Sequence, residues 1–472
     1  AVGPGRQMNI NTAPLQAQAI QTSETPEDFQ QEFGQIYSRT NFSGGEGLDK
    51  AHRREGTPND FSRFWDSKGI DVFHAEQNNS YSVRLLRDVE QKTLTLSSEN
   101  NYLAQTTNGY MYITDGTSIY QSTNEGVTWS SAMSSTGVSY AIQGIVAFGN
   151  DLFIVTGDGG TNKQLISYDL SANNFDTENL GSVFTGAFTG IWFAKGTLFV
   201  SGKSTTAEYL WQSSPFTANF SGDFETTDAL VTTEPTHQFT SVTDAGAVVL
   251  AGNTDSNVYS LKIDGGTWSL KGQTQLAFEE IHSLASTEGI VYIGTKGYQS
   301  NTGRFYTADL TVADNLYVLA NRQLIKEWDN GVDQSPHSMF VTRDSVYMGI
   351  HESATETNLW RYYLPTAGIA RDLSVTHTSD TNAKVTGITQ TGTTGGKFII
   401  LISGVGVYKQ TDTFVSTGYI ISALADFYTS EKKQWVGAKL NTNGVSFGTV
   451  ELATTTIPND INNSASNTWT PQ

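Results

Sequence analysis

Carboxylates and histidines are the side chains best able to support catalysis in this sequence, and they show no catalytic spacing. Glu279 and Glu280 are adjacent and precede a predicted strand, so they could face the mouth of a cleft. A glycosidase needs two carboxyl groups on opposite sides of the scissile bond. With 47 acidic residues some pair falls in range whatever the fold, so a glycosidase stays open as an alternative. The simpler interpretation of Glu279 and Glu280 is a charged pair in a solvated loop.

The arginines do not form the cluster that would hold an anionic sugar. A sialidase-like site grips a carboxylate with arginines from several blades of a propeller. No arginine lies between Arg87 and Arg304, and the later ones fall in two neighbouring repeats, namely Arg304, Arg322, Arg343, Arg361 and Arg371. The zinc-protease, serine-hydrolase and phosphate-loop motifs are also absent from the sequence. We therefore predict a non-enzymatic protein with no catalytic, metal or cofactor-binding residue.

A short repeat organises most of the chain. An apolar residue, a polar residue, a glycine or serine and a second apolar residue recur at intervals of roughly 40 to 55 residues, with Pro336 the one exception at the first position. The small residues are Gly144, Gly190, Ser241, Ser283, Ser338 and Gly387. An apolar strand follows each, and then a strand that usually carries tyrosine or tryptophan. This pattern predicts an all-β fold with a seven-bladed β-propeller over residues 95–422, with the small residues lining its axis.

The polar residue of each repeat defines a second predicted ring. These residues are Gln143, Thr189, Thr240, His282, His337 and Thr386. If the repeats align, they lie at one height around the axis. The simpler interpretation is a polar lining of a water-filled channel, and the alternative is a ring that binds an ion or ligand. Two histidines from adjacent blades with no third ligand do not predict a metal site.

Two short stretches predict tight turns at the outer edge of the blades. They are STNEGVTW at Ser122–Trp129 and IDGGTW at Ile263–Trp268. We expect Asn124 and Asp264 to accept backbone N–H groups, and Gly126 and Gly265 to supply positive φ. Thr128 returns to the strand, while Trp129 and Trp268 pack beneath the turns. The stretches resemble the Asp-box of sialidases and other BNR-repeat propellers, where the motif is a folding device remote from the chemistry.

Composition limits the possible partners and location. The chain of 472 residues has 28 basic and 47 acidic residues, a net charge of −19, and no cysteine. Such an acidic surface disfavours nucleic acid and anionic lipid. Residues 1–20 lack a signal-like apolar block, and the longest apolar run, Phe398–Ile402, is far below the roughly 20 residues of a membrane helix. We expect a soluble protein without a secretion signal, which leaves a cell only by a route such as lysis.

The segments that flank the propeller differ from it. Residues 1–46 are predicted to form an extended N-terminal arm with a short helix over 26–38, which begins at Thr25 as N-cap. Phe29, Phe33 and Ile36 form an apolar stripe on this helix that needs a surface to pack on, so we interpret it as an assembly contact. Residues 47–94 form a connector. Residues 423–472 alternate like strands of a β-sandwich, and we expect this module to be incomplete by itself.

The layout resembles phage tail proteins of the β-propeller type. The matching residues are Gly47-Leu-Asp49 and Pro58-Asn-Asp-Phe-Ser62 before the propeller, and Asp426-Phe427 and Lys432-Lys433 after it. The step at Phe64-Trp65-Asp66 departs from that pattern. The resemblance implies a minor tail or tail-fibre-associated protein, present in several symmetric copies.

What the resemblance implies for function is structural. The partners would be other virion proteins and sister copies, with a host-surface glycan or protein as a further contact. The protein would be made in the host cytoplasm and released in virions by lysis. Two alternatives remain, a virion-borne or secreted glycosidase on a propeller, and a cellular propeller that binds a protein or glycan.

Overall fold

The computed structural model describes most of the propeller and shorter parts of the flanks. The described residues are 7–9, 18–20, 32–34, 42–47, 63–73, 82–180, 183–214, 220–392, 396–422, 453–454 and 470–471. The chain divides into two compact units. One comprises residues 88–360 and 374–412, and the other comprises residues 1–87, 361–373 and 413–472.

Seven antiparallel sheets follow one another along the chain and form a seven-bladed β-propeller, which confirms the predicted fold class. The blade strands, from inner to outer, are Leu103–Gln105, Met111–Asp115 and Ser118–Ser122 in blade 1; Ile142–Phe148, Asp151–Gly157, Lys163–Asp169 and Asn174–Thr177 in blade 2; Ala187–Ala194, Thr197–Lys203, Glu208–Ser213 and Val231–Thr233 in blade 3; Phe239–Ala245, Val248–Asn253, Asn257–Asp264 and Thr267–Gln275 in blade 4; Glu279–Thr287, Ile290–Gly297, Gly303–Ala313 and Leu316–Trp328 in blade 5; Met339–Val341, Ser345–Ser353, Glu356–Tyr363 and Gly368–Thr376 in blade 6; and Val385–Gln390, Phe398–Ile402, Gly406–Phe414 and Arg87–Gln91 in blade 7. Among the described residues the one helical element is a short 3-10 turn, Thr226–Asp228. No helix in this part of the chain is long and apolar enough to cross a membrane.

Burial explains why the second strand of each blade is a continuous apolar run. Val248–Asn253 and Phe398–Ile402 are buried at every position. A strand covered on both faces gains from apolar side chains on both, so it does not alternate. The outer strand Asn174–Thr177 of blade 2 is mostly exposed and correspondingly polar.

The innermost strands of the seven blades contact one another in a closed ring, in which each contacts the next and blade 7 contacts blade 1. At the last of these seams, Thr389 Oγ1 of blade 7 donates a hydrogen bond to Gln105 of blade 1. Leu94 and Leu96 join residues of both blades, Met111 and Ile399 among them, in one apolar cluster.

The outer strand of blade 7 comes from the N-terminal side of the propeller. Arg87–Gln91 pairs beside Gly406–Phe414, whereas the sequence analysis placed it in the connector 47–94 and began the propeller at residue 95. The Lys92 N–H continues the pairing with the Val407 carbonyl oxygen at 2.8 Å. Two distant parts of the sequence thus complete one sheet. Because the chain runs on from Arg87–Gln91 into the inner strand of blade 1, the pairing of Arg87–Gln91 with Gly406–Phe414 closes the ring without a covalent link inside blade 7.

The other unit consists of short strands around a small core. Gly45–Glu46 runs parallel to Arg63–Lys68, which also pairs antiparallel with Tyr419–Ser422. A second sheet contains Gln7–Asn9, Ser82–Leu85 and Ile70–Asp71, and two further pairs are Gln18–Ile20 with Glu32–Gly34 and Ala453–Thr454 with Thr470–Pro471. The core contains Phe42, Phe64, Ile70, Val72, Phe73 and Ala370.

The N-terminal arm requires a correction. Glu32–Gly34 is a strand paired with Gln18–Ile20, where the sequence analysis predicts part of a helix over 26–38. A three-turn helix with one narrow apolar stripe is marginal in water, and pairing with a second segment satisfies the same backbone groups. Phe33 therefore belongs to a strand. Phe29 and Ile36 lie outside the described residues, as does most of the predicted module 423–472.

The turn at Ser122–Trp129 is closed by side chains. Asn124 Oδ1 accepts the Thr128 N–H at 2.9 Å, and Ser122 Oγ accepts the Gly126 N–H at 2.9 Å. Glu125 and Gly126 have φ of 57° and 74°. A Cβ on Gly126 would lie 2.8 Å from Ile399 Cδ1, so this position needs glycine both for its φ and for space. Trp129 packs against the apolar cluster between blades 1 and 7.

The turn in Ile263–Trp268 is built differently. Asp264 pairs with Thr267, so Gly265 and Gly266 form a two-residue hairpin loop with φ of 60° and 88°. Asp264 contacts Lys271 at 2.9 Å and Lys262 at 3.7 Å. Trp268 is buried edge-to-face against Phe199, with ring centroids 5.2 Å apart. The two stretches share tight turns over a tryptophan, but only the first uses its Asx side chain to close the turn.

We expect Asn124→Ala to lower the free energy of unfolding by about 1 kcal/mol, because the turn loses its side-chain acceptor and a bond to Thr128 Oγ1. Urea unfolding followed by tryptophan fluorescence would measure the change. Asn124→Asp is the matched control, since it keeps an oxygen for the Thr128 N–H. Equal stability of the Ala and Asp variants would show that these bonds do not hold the turn.

Candidate functional site

The predicted polar ring coincides with a repeated irregularity of the inner strands. In five blades the register with the second strand shifts by one residue, as between Ile142 and Gly144 in blade 2. The extra residues are Gln143, Thr189, Thr240, His282 and Thr386. Such β-bulges bend a strand and redirect a side chain, and they are common near functional sites. The sequence repeat of a polar and then a small residue is therefore the signature of a bulge, and the polar side chains are all partly exposed.

Most of these polar side chains hydrogen-bond to the propeller frame. Gln143 Nε2 donates to the Gly157 carbonyl oxygen at 3.3 Å. Thr240 Oγ1 donates to the Ile281 carbonyl oxygen of the next blade at 2.6 Å. A polar lining that binds its own backbone holds blades together, and it leaves little capacity for an ion.

The predicted axis-lining residues contact the following blade. A Cβ on Gly144 would lie 2.9 Å from Ile191 Cγ2, and one on Gly387 would lie 2.6 Å from Leu103 Cβ. Ser241 Oγ accepts the Leu284 N–H at 2.9 Å, and Ser283 Oγ donates to the Pro336 carbonyl oxygen. Small residues at this position therefore allow neighbouring inner strands to approach closely. The six small residues also include Gly190 and Ser338. The lining of a central channel by all six stays a prediction.

The two histidines of the predicted polar ring have charged side chains as neighbours. The rings of His282 and His337 meet edge-to-face with centroids 4.4 Å apart. His337 Nε2 lies 3.0 Å from Ser335 Oγ and 3.7 Å from Asp333 Oδ2. The Asp333 carboxylate also pairs with Lys296 Nζ at 3.0 Å.

Glu280 completes this group, with its Oε2 3.5 Å from His282 Nε2. Both histidines and Glu280 could be identified from the sequence. Asp333 and Lys296 could not, since each occurs in one blade only and has no repeat signal. No group of ligands suitable for a metal ion occurs in the described part of the chain.

The environment of His337 favours its neutral form. Burial lowers the pKa of His337 to about 4, His282 and Lys384 act in the same direction, and Asp333 opposes them. Burial works against ionisation of Asp333, but His337, Ser335 and Lys296 outweigh it and hold the pKa of Asp333 well below its usual range. Both shifts favour the native state at neutral pH over acid.

We predict that His337→Gln removes part of the loss of stability on acidification. In the wild type the unfolded histidine gains a proton as pH falls through about 6.5, while the native one gains it only near 4. Stability therefore falls across this window, by about 3 kcal/mol for this group. Chemical denaturation at pH 4 and 7 measures the effect. His237→Gln is the control, and identical pH profiles for wild type and His337→Gln would contradict the prediction.

Glu208 is a fully buried carboxyl in contact with Thr189, one of the residues of the predicted polar ring. Thr189 Oγ1 lies 2.6 Å from Glu208 Oε1 and 2.7 Å from Ser201 Oγ. Burial raises the pKa of Glu208 to about 7, although Thr189, Lys203 and the backbone of Phe239 oppose it. A carboxyl with this pKa suits a general acid. With no exposed surface, however, Glu208 has no route to a substrate.

Both carboxylate oxygens of Glu279 accept hydrogen bonds. Its Oε1 accepts from Arg304 Nη1 at 2.6 Å and from the Tyr306 hydroxyl at 2.8 Å, and its Oε2 accepts from Thr295 Oγ1 at 2.7 Å. Glu279 is buried, whereas the sequence analysis interpreted Glu279 and Glu280 as a solvated pair. The carboxylate anchors three strands of blade 5, and Arg304 is thereby committed to an internal ion pair.

Two other late arginines have internal partners in the second unit. Arg371 Nη1 lies 2.6 Å from Asp66 Oδ1, and Arg361 Nη1 lies 3.5 Å from Asp71 Oδ1. Neither is left to clamp an anionic sugar.

The comparisons with known proteins bear on the fold alone. No protein-family model and no curated protein sequence matches the chain. One similar solved structure is the "Crystal Structure of Mitotic Checkpoint Complex", with a TM-score of 0.48 and 12% identity over 69% of this chain and 93% of that chain.

Two further similar structures are of YCF48. "YCF48 bound to D1 peptide" has a TM-score of 0.45 and 13% identity, over 69% of this chain and 95% of that one. YCF48 from Cyanidioschyzon merolae has a TM-score of 0.47 and 12% identity, over 68% and 98%. At this identity the likeness carries nothing about ligand or activity.

Proposed function

We propose that this chain is a non-enzymatic structural component of a phage tail, with the propeller as a rigid platform and the terminal segments as assembly contacts. The observation that carries the proposal is the use made of the buried acidic groups in the propeller. Asp115, Glu208 and Glu279 are the buried carboxylates among the described residues of the unit 88–360 and 374–412, and all three bond to neighbouring strands or loops. These carboxyl groups, which could do chemistry, are occupied in contacts that hold individual blades and their loops together.

Two further features support a platform. The inner strands close a ring, and blade 7 is completed by Arg87–Gln91 from the N-terminal side. A ring closed in this way resists opening when its ends are attached to other molecules. The phage assignment itself rests on the resemblance at Gly47–Asp49, Pro58–Ser62 and the residues after the propeller.

Sedimentation of a phage lysate tests the proposal. An antibody against the chain should detect it in the particle band of a density gradient, and should label the tail in electron micrographs. A chain found only with soluble cellular protein would contradict a virion component and favour a cellular propeller. Release of reducing ends from a host polysaccharide by the purified chain would instead favour the glycosidase alternative.

A further inference from the structure

An exposed aromatic pair lies at one edge of blade 5. Phe278 is 81% exposed and Tyr298 is 56% exposed. Phe278 ends the connection from blade 4, and Tyr298 follows the second strand of blade 5. The Tyr298 N–H donates to the Phe278 carbonyl oxygen at 2.9 Å, one step beyond the ladder pair Glu279–Gly297. The two residues are therefore neighbours across the ladder, and both expose their rings to solvent.

The backbone at Phe278 is strained. Its φ is +60°, a left-handed conformation that a bulky residue rarely adopts. The other non-glycine residues with positive φ in the described part of the chain are polar or alanine. Such outliers persist only where neighbouring structure fixes them, and they cluster at ligand sites.

The next residue provides that fixation. Glu279 is held by Arg304, Tyr306 and Thr295 through its side chain, and its N–H donates to Ser256 Oγ at 3.2 Å. The network at Glu279 holds the adjacent Phe278 in a conformation that leaves its aromatic ring exposed. Phe278 and Tyr298 together expose two large aromatic side chains next to each other, and such a patch is more informative than one exposed apolar residue.

The chemistry around the pair indicates the ligand. The charged groups on the neighbouring strand ends are already paired, Lys296 with Asp333 at 3.0 Å and Glu280 with His282 at 3.5 Å. Gln299 follows Tyr298 directly and exposes a neutral amide. The surface therefore offers flat apolar rings and hydrogen bonding without net charge. The chain charge of −19 further disfavours an anionic ligand.

We propose that Phe278 and Tyr298 form a stacking surface for the pyranose rings of a neutral glycan, with Gln299 hydrogen-bonding to the sugar hydroxyls. A pyranose has an apolar C–H face that packs on an aromatic ring, and hydroxyls at its edge for polar groups. The inference deepens the proposed function by naming the host-surface ligand, and it rests on that function for its biological setting.

Saturation-transfer NMR on the full chain tests the site, with maltohexaose, chitohexaose and mannohexaose at millimolar concentration as probes. At least one should receive saturation at its ring protons. Phe278→Ala with Tyr298→Ala should weaken its binding by roughly tenfold or more, the equivalent of one aromatic stack. Tyr298→Phe keeps the ring and should bind nearly as well. Val312→Ala, at an exposed apolar residue elsewhere in blade 5, is the control and should change nothing.

Phe278→Gly separates binding from folding. Glycine accepts the positive φ, so the melting temperature should stay the same or rise while saccharide binding is lost. No transfer to any probe, or transfer unchanged in the double variant or in Phe278→Gly, would overturn the proposal. So would sedimentation showing that the double variant turns a dimer into a monomer without affecting saccharide binding, because the patch would then join two copies.

The two proposals fail in different experiments. The saccharide assay uses the isolated chain and needs no particle. A negative result there leaves the gradient experiment untouched. A chain that binds saccharide but stays out of the particle band would contradict the tail assignment and keep the glycan site.

Discussion

At pH 8, Glu208→Gln is expected to be more stable than the wild type by about 3 kcal/mol in free energy of unfolding. Burial raises the pKa of Glu208 from its usual 4.5 to about 7, so at pH 8 the wild-type fold contains a buried, ionised carboxylate. The amide of glutamine has nearly the same shape, keeps an oxygen for the Thr189 hydroxyl, and never ionises. Urea unfolding of the two proteins in one buffer series would measure the difference.

The pH dependence gives the sharper test. Between about 4.5 and 7 the native state holds a proton on Glu208 that the unfolded chain has released. Stability therefore falls as pH rises through this window, and the loss is complete above the native pKa. Below pH 4.5 the carboxyl is protonated in both states, so wild type and Glu208→Gln should converge.

A surface carboxylate supplies the control for this experiment. Glu234 has a side chain that is 82% exposed, so Glu234→Gln should leave the pH profile unchanged. Parallel stability curves for wild type and Glu208→Gln from pH 4 to 8 would show that the native carboxyl titrates normally. The site behind Thr189 would then be wetter than its burial indicates.

The blades could be predicted from sequence because their cause is local and repeated. Each blade has a small residue where the inner strands meet. Each also has an apolar run in the strand that is covered on both faces. Arg87–Gln91 could not be found in this way. It is an outer strand with alternating exposure and the polar sequence RDVEQ, so it resembles a connector until its partner strand is known.

The residues of the candidate sites also differ in whether the sequence repeat predicts them. The ring positions of His282 and Thr189 follow from the repeat, although the bulge that explains them is visible only in the strand register. Glu208 and Phe278 each occur once, and their properties come from burial and from a backbone angle. Neither depends on a motif, so a single sequence has no signal for them.

Ring closure provides the second large effect. Gly387→Ala is expected to lower the free energy of unfolding by about 3 kcal/mol, at the upper end of the usual cost of overpacking. The added Cβ would lie 2.6 Å from Leu103 Cβ, which is attached directly to the backbone and has no rotamer that moves it away. Either the inner strand of blade 7 or that of blade 1 must shift. Urea unfolding, with fluorescence and far-UV circular dichroism as separate probes, would measure the loss.

The position of this clash decides how the whole ring responds. The covalent link between blades 7 and 1 runs through the outer strand Arg87–Gln91, which only hydrogen bonds attach to Gly406–Phe414. The seam between the inner strands of these blades therefore depends on packing, on the Thr389–Gln105 hydrogen bond and on that strand pairing. Separating it exposes apolar faces of both blades, and the loss should therefore appear in both probes together. Gly392→Ala is a control in the same blade, since a Cβ there meets no atom of the described residues within 4 Å. Equal stability of the two alanine variants would mean that the seam tolerates displacement, and that closure depends on the outer strand rather than on contact at the hub.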